Sequence, residues 1–179
     1  MLSAIVLYEL SRQPRRLDPL EVLVRTLSSL VKANIEGLLG DVAIAGPAEQ
    51  GLSLVADHAG CGLIEAAAEG EWLGQAIEAA RGPNVLLLRS GFAPQAGFIE
   101  EVGDLLNVRS HPTGVCRRAA LLRAAPEIVI ERLFPAAAPL AGLIAPRDRC
   151  LAAPAGGLAA LAHTVKPSMT LRTRARRIG

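Results

Sequence analysis

Asn84-Val85-Leu86-Leu87-Leu88-Arg89-Ser90-Gly91-Phe92-Ala93-Pro94-Gln95-Ala96-Gly97-Phe98 is the stretch from which the fold is read. Val85 to Leu88 is short and wholly apolar, as expected of a strand buried on both faces of a parallel sheet. The run stops abruptly at Arg89-Ser90-Gly91. Pro94 punctuates the loop that follows, and a helical pattern begins near Gln95. In an open α/β sheet, ligands bind beyond the carboxyl ends of the strands. Position alone therefore makes Arg89, Ser90 and Gly91 candidate ligand residues.

The same alternation runs upstream. Ser3 to Tyr8 reads as a buried first strand. Asp18-Pro19 has the residues of a helix start, Asp at the N-cap and Pro at the first helical position. Leu20, Leu23, Val24, Leu27, Leu30 and Val31 then recur at helical spacing, up to Gly37 or Gly40. Asp41 to Ala45 is a second strand closed by Gly46-Pro47. Leu52 to Asp57 suits either a short helix or a strand start. Gly62 to Ala66 is a third strand, Trp72 to Arg81 a second main helix, and Phe98, Val102, Leu105 and Leu106 mark a third. Strands alternating with helices argue a mostly parallel sheet. Beyond Asn107 the pattern weakens: Thr113 to Arg118 suits an edge strand, Ala120 to Leu133 a helix, Leu140 to Ala145 a strand, and Pro154 to Val165 a weak helix.

A chain of 179 residues is expected to form one domain, and with 51% apolar residues it can build a core. Only 3% of residues are aromatic, so Ala, Leu, Val and Ile must fill the interior. The net charge of +2 is uneven: residues 166–179 hold five basic and no acidic residues, and the rest carries −3. That balance excludes a globally basic nucleic-acid binder. The basic tail suits a frayed, solvated end or weak contact with an anionic membrane surface. Cys61, Cys116 and Cys150 are odd in number and lack metal spacing, which suits a reducing cytoplasmic compartment and small buried apolar residues. No run is apolar enough for a transmembrane helix, and no basic-then-apolar leader opens the chain. Neither Gly-x-Gly-x-x-Gly nor a Walker pattern is present. His58, His111 and His163 have no paired acid or nucleophile beside them and read as surface or turn residues. Trp72 reads as a packing anchor, and Glu100-Glu101 as a solvated helix start favoured by the helix dipole.

Several segments, taken in order, resemble small bacterial members of glycosyltransferase family 2. Leu27-Ser28-Ser29-Leu30 is similar to the Leu-x-Ser-Leu of the helix after the first strand. Glu36-Gly37-Leu38 before Asp41-Val42-Ala43-Ile44-Ala45 is similar to the approach to the second strand. Val55-Ala56-Asp57-His58-Ala59-Gly60-Cys61 resembles the family's Ala-x-x-x-Gly-Ala turn, and Gly74-Gln75-Ala76 with Ala79-Ala80-Arg81-Gly82 its Ala-x-Gly helix end. Val85-Leu86-Leu87-Leu88 stands where the family has Leu-Leu-Phe-Leu before an Asp-x-Asp motif. Phe92-Ala93-Pro94 with Gly97-Phe98-Ile99 resembles the segment after it, and Arg172-Thr173-Arg174-Ala175-Arg176-Arg177 a Thr-Ser-Ala-Arg-Arg ending. The resemblance covers residues 3–106 well and the remainder poorly. It implies a single α/β domain of GT-A-like, Rossmann-like type, with a central mostly parallel sheet flanked by helices. That domain spans 1–165, followed by a basic tail, 166–179.

The resemblance further implies a nucleotide-diphospho-sugar donor, with Tyr8, Glu9, Arg12, Gly46, Glu49, Arg89, Ser90 and Gly91 as the nucleotide- and phosphate-binding set. No catalytic residue is assigned. The family's divalent metal sits on Asp-x-Asp carboxylates, and hard cations want such oxygens. This chain has Arg89-Ser90-Gly91 there, so the metal site reads as lost and no cofactor is assigned. Glu49 is the one acid in the loop after the second strand, and Asp148 the nearest acid to where a transfer base is expected. Two readings follow. In one, Arg89 replaces the metal, because a guanidinium binds phosphate bidentately, assisted by Arg12, Arg15 or Arg16. In the other, catalysis is lost and the fold serves binding or assembly, including self-association as a homo-oligomer. Loss of both acidic sites favours the second.

Overall fold

The computed structural model describes residues 1–8, 17–106, 118–154 and 156–178. Strands and helices alternate as β1 (Leu2–Leu7), α1 (Pro19–Ile35), β2 (Leu39–Gly46), α2 (Leu52–Ala59), β3 (Gly62–Glu65), α3 (Glu69–Ala79) and β4 (Asn84–Arg89). The chain then forms a short strand, β5 (Phe92–Pro94), before α4 (Phe98–Leu106). The later part contains β6 (Ala120–Arg123), α5 (Val129–Leu133), β7 (Leu140–Pro146), α6 (Arg147–Leu151), α7 (Leu158–Val165), β8 (Met169–Thr170) and β9 (Ala175–Arg177).

Seven strands form one sheet in the order β3-β2-β1-β4-β7-β6-β8. All run parallel except β7, which is antiparallel to both β4 and β6. Side-chain alternation divides the interior into two layers. Ala4, Val6, Leu86 and Leu88 face one core with α1, and Ile5, Leu7, Val85 and Leu87 face the other with α3 and α7. Leu86, Leu87 and Leu88 are fully buried, each worth roughly 1.5–3 kcal/mol relative to exposure. The mixed α/β sheet, its first four strands and α1 are as the sequence reading expects. At α1 the Asp18 carboxylate accepts from Leu20 N at 2.7 Å and Pro19 opens the helix. Leu52 to Ala59 resolves to a helix.

Three expectations are corrected. Ala120 to Leu133 is not one helix: Ala120 to Arg123 is a strand wedged between β7 and β8. Its Ala and Leu residues favour helix in isolation, but Ala120 and Leu122 bury in one core while Leu121 packs on the other, and pairing overrides propensity. Second, the chain end is not frayed. Met169–Thr170 pairs with β6, and Ala175–Arg177 pairs antiparallel with β5. Third, Glu101 is not a solvated helix start. Its carboxylate accepts from Arg172 N at 2.7 Å and Thr173 N at 2.8 Å. Partial burial works to raise its pKa, but those hydrogen bonds, with the Arg172 charge, hold it below the usual carboxylate value. Of the expected edge strand Thr113 to Arg118, all but Arg118 lies outside the described residues, as does His111.

Candidate functional site

The register of the sheet assembles the site. Leu7 stands opposite Ala45 on one side and Arg89 on the other. The chains therefore leave β1, β2 and β4 side by side, with Tyr8 N donating to Ala45 O and Ser90 N donating to Leu7 O, both at 2.8 Å. This carboxyl edge, flanked by crossovers to either side of β1, is where an open α/β sheet forms its crevice. A cavity of ≈ 660 Å³ opens there, walled by Tyr8, Pro47, Glu69, Trp72, Arg89 and Leu140, with the first residues of α7 closing one side.

Each wall has a local cause. Arg89 is the last residue of β4; its guanidinium donates to Leu140 O at 3.2 Å and lies 5.8 Å from the centre of the Phe92 ring. The antiparallel partner β7 supplies that carbonyl because it begins at this edge. Gly142 lets β7 approach so closely: a Cβ there would stand 2.6 Å from Leu87 O. Gly46 is likewise excluded from bearing a side chain, since a Cβ would meet Tyr8 and Leu52, each at 2.9 Å. Tyr8 is thus held against β2, and Gly46 shapes the site without lining it. Glu69 opens α3 and points across to Gly157, the residue before α7; a Cβ on Gly157 would overlap the Glu69 carboxylate. No side chain caps α7, so its first backbone N–H groups and the positive end of its dipole border the cavity.

Of the residues the sequence reading singles out, Tyr8 and Arg89 meet in this cavity. Ser90 is buried, and Gly91, at φ +90°, is locked by Gly91 N to Thr26 Oγ1 at 2.9 Å and by Ile178 N to Gly91 O at 2.8 Å. Neither lines the cavity. Glu49 sits at φ +63° on an exposed turn and does not line it either. Glu9, Arg12, Arg15 and Arg16 lie outside the described residues. Asp148 belongs to the other end of the molecule: it follows Pro146, which pairs with Asn84 at the amino end of β4, and its carboxylate accepts from Arg149 N at 2.8 Å. Glu69 and the start of α7 are new. Glu69-Gly70-Glu71 before Trp72 reads only as an acidic first turn, and nothing in the sequence aims it at the edge. Trp72 is the packing anchor expected, buried among Leu73, Ile77 and Leu158, yet it also floors the cavity.

A second concavity, ≈ 610 Å³, lies between α1 and α2. It is lined by apolar residues such as Val24, Val31 and Leu54, with His58 the sole titratable group apart from Cys61, and it is remote from the carboxyl edge. It lacks the charge a phosphate ligand needs. His58 Nδ1 lies 2.8 Å from Leu54 O within α2, as a surface histidine does. Burial, with the Asp148 charge adding to it, pushes the Cys150 thiol up to about 12, which suits an inert packing residue. Burial also raises Cys61.

Among the described residues no group of three His, Cys, Asp or Glu is placed to hold a metal ion. Glu69 is the only carboxylate lining the cavity among them. Among the described residues the cavity thus offers one carboxylate, where Mg²⁺ sites use one or two together with phosphate oxygens and water.

Solved structures share this fold. Glucosyl-3-phosphoglycerate synthase from Mycobacterium tuberculosis, in complex with Mn²⁺, UDP-glucose and phosphoglyceric acid, superposes with a TM-score of 0.63 at 13% identity, over 99% of this chain and 72% of that one. The fold is GT-A-like, a mixed α/β sheet flanked by helices. The same enzyme with Mn²⁺, UDP and glucosyl-3-phosphoglycerate gives 0.62 at 15% identity, over 99% and 72% of the two chains. 4-Diphosphocytidyl-2C-methyl-D-erythritol synthase from Anaerococcus prevotii gives 0.58 at 9% identity, over 99% of this chain and 89% of that one. No protein-family model matches the chain, and no curated protein matches it in sequence. Among the described residues no helix is long and apolar enough to cross a membrane.

Proposed function

We propose that the chain binds a nucleotide-diphospho-sugar at the carboxyl edge of β1, β2 and β4, as glycosyltransferases of family 2 do, with Arg89 meeting the diphosphate in place of a metal. The observation that carries this reading is the Arg89 guanidinium, fixed by Leu140 O and Phe92, lining a cavity with Tyr8 and the uncapped start of α7. A guanidinium and helix N-terminal amides both favour phosphate oxygens. Glu69 offers an acceptor to sugar hydroxyls. If transfer occurs, Arg89 stabilises the leaving diphosphate, and Glu69 is the carboxylate available to an acceptor.

The test is titration calorimetry with UDP-glucose and with GDP-mannose, in EDTA and in Mn²⁺. Binding in EDTA is expected. It weakens about ten- to a hundredfold in Arg89→Ala, the 1.5–3 kcal/mol of a hydrogen bond to a charged group, and recovers in part with Arg89→Lys. If neither nucleotide sugar binds under either condition, the reading is wrong.

A binding protein without transfer is the second reading. What favours it is that Asp148 stands at the far end of the sheet, leaving Glu69 alone in the cavity among the described carboxylates. Donor binding with no release of UDP over hours, with any acceptor, decides for it. UDP release lost in Glu69→Gln decides against it.

A further inference from the structure

Two features of the cavity favour an anion, Arg89 and the start of α7, and the second already faces a carboxylate. Glu69 lies against Gly157, the residue that leads into Leu158 and α7. The fit is close: a Cβ on Gly157 would overlap the carboxylate oxygens and stand 2.8 Å from the Glu69 Cδ. Gly157 has φ −77° and ψ 174°, backbone that any residue adopts, so its missing side chain serves this contact rather than a turn. An acid at a helix N-terminus is favoured by the dipole. Yet no hydrogen bond or ion pair among the described residues holds this one, and Glu69 is exposed where it lines the cavity. It is an anion standing where a phosphate would approach the α7 amides.

We propose that Glu69 is the specificity-determining residue of the cavity, selecting a sugar-linked diphosphate over the free nucleoside diphosphate. The inference rests on the nucleotide-diphospho-sugar reading of the site. The two ligands differ in charge and in hydroxyls. In the sugar-linked ligand both phosphates are bridged, and each carries a single negative charge. In the free diphosphate the terminal phosphate is unbridged and carries about −1.5 to −2. Arg89 and the α7 amides alone would prefer the more highly charged ligand. Glu69 reverses that order. The extra charge at the start of α7 meets the carboxylate, and one unit charge about 5 Å away in water-like surroundings costs about fourfold in affinity. Sugar hydroxyls at the same place donate hydrogen bonds to it instead. The carboxylate therefore weakens one ligand and strengthens the other.

The test is calorimetry of the full chain with UDP-glucose and with UDP, in EDTA and at low salt, where exposed charges are least screened. The parent is expected to bind UDP-glucose more tightly than UDP. Glu69→Gln keeps the shape and removes the charge. It should tighten UDP about fourfold and weaken UDP-glucose, so that the preference is lost or reversed. Gly157→Ala reaches the same point by another route: its methyl pushes the carboxylate off the start of α7, and UDP should gain on UDP-glucose again. Thermal melts check that the variants fold, and a general loosening of the site lowers both affinities without tightening UDP. Two results overturn the proposal: a parent that binds UDP at least as tightly as UDP-glucose, or a ratio of the two affinities that Glu69→Gln leaves unmoved. Either leaves the nucleotide-sugar reading standing, whereas a parent that binds neither ligand removes that reading and this inference with it.

Discussion

Glu101→Ala isolates the device that fastens the end of the chain. The carboxylate accepts from two consecutive backbone N–H groups, Arg172 N at 2.7 Å and Thr173 N at 2.8 Å. A hydrogen bond to a charged group contributes about 1.5–3 kcal/mol when shielded. Glu101 is only partly buried, and solvent screening reduces each toward the low end. The pair is therefore worth about 2–3 kcal/mol at neutral pH. In a domain of this size that lowers Tm by roughly 4–12 °C, and it falls on the segment that carries β9. The sign of the pH dependence follows from the depressed pKa of Glu101. Folded and unfolded states then differ in proton uptake only below the unfolded value, near the ordinary 4.5. The contribution is whole above that pH and disappears as the pH falls through the lower, folded value. Urea unfolding at pH 7 and at pH 3, with amide exchange of residues 172–177, reads all of this. The variant should be less stable at pH 7, should approach the parent at pH 3, and should exchange its 172–177 amides faster. Equal stability at pH 7, or a difference that persists undiminished at pH 3, refutes the role given to the carboxylate.

Two further substitutions test how the edge is built. Gly142→Ala sets a methyl 2.6 Å from Leu87 O, so β7 must move from β4 at a cost of about 1–3 kcal/mol; urea unfolding measures it, and nucleotide affinity should fall with it because Leu140 loses its position beside Arg89. Asp18→Ala removes the acceptor for Leu20 N and should cost about 1 kcal/mol of stability, read by the same unfolding curve, with nucleotide affinity unchanged.

The first half of the fold is legible because its signals are local and agree. Asp18-Pro19 marks a helix start that the backbone uses as expected, and the apolar run Val85 to Leu88 occupies the centre of the sheet. The later part is less legible because its decisive terms are not local. Nothing in Ala120-Leu121-Leu122-Arg123 announces a strand; the edge of β7 makes it one. Met169–Thr170 and Ala175–Arg177 are too short to show a period at all, and they pair because Glu101 and Arg177 fix the turns between and beyond them. Arg177, the last of a run of arginines, reads as solvated because the partners that neutralise it, Glu127 and Glu131, lie more than forty residues away.

The same reasoning explains the candidate site. Arg89 was findable because the end of a buried strand is a position that a sequence reveals. What Arg89 can do is decided elsewhere. An arginine at a strand end ordinarily reaches into water, where it binds phosphate weakly because the ion must give up mobility as well as hydration. Here the antiparallel insertion of β7 brings Leu140 O to the guanidinium, and the turn after β4 brings Phe92 beneath it. The ordering cost is met within the fold, before any ligand arrives, and preorganisation of that kind raises affinity. A family motif cannot encode this, since β7 aligns poorly and Gly142, which permits its approach, is one glycine among seventeen. The carboxylate that faces the site reached it by a different route, through α3, so that the carboxylate and the guanidinium of the cavity come from Glu69 and Arg89 rather than from two neighbours in one motif. A cation-binding pair must be close in space with like charge; a guanidinium and a carboxylate that line one cavity are a pairing of opposite charge, suited to a ligand that carries both phosphate and hydroxyls.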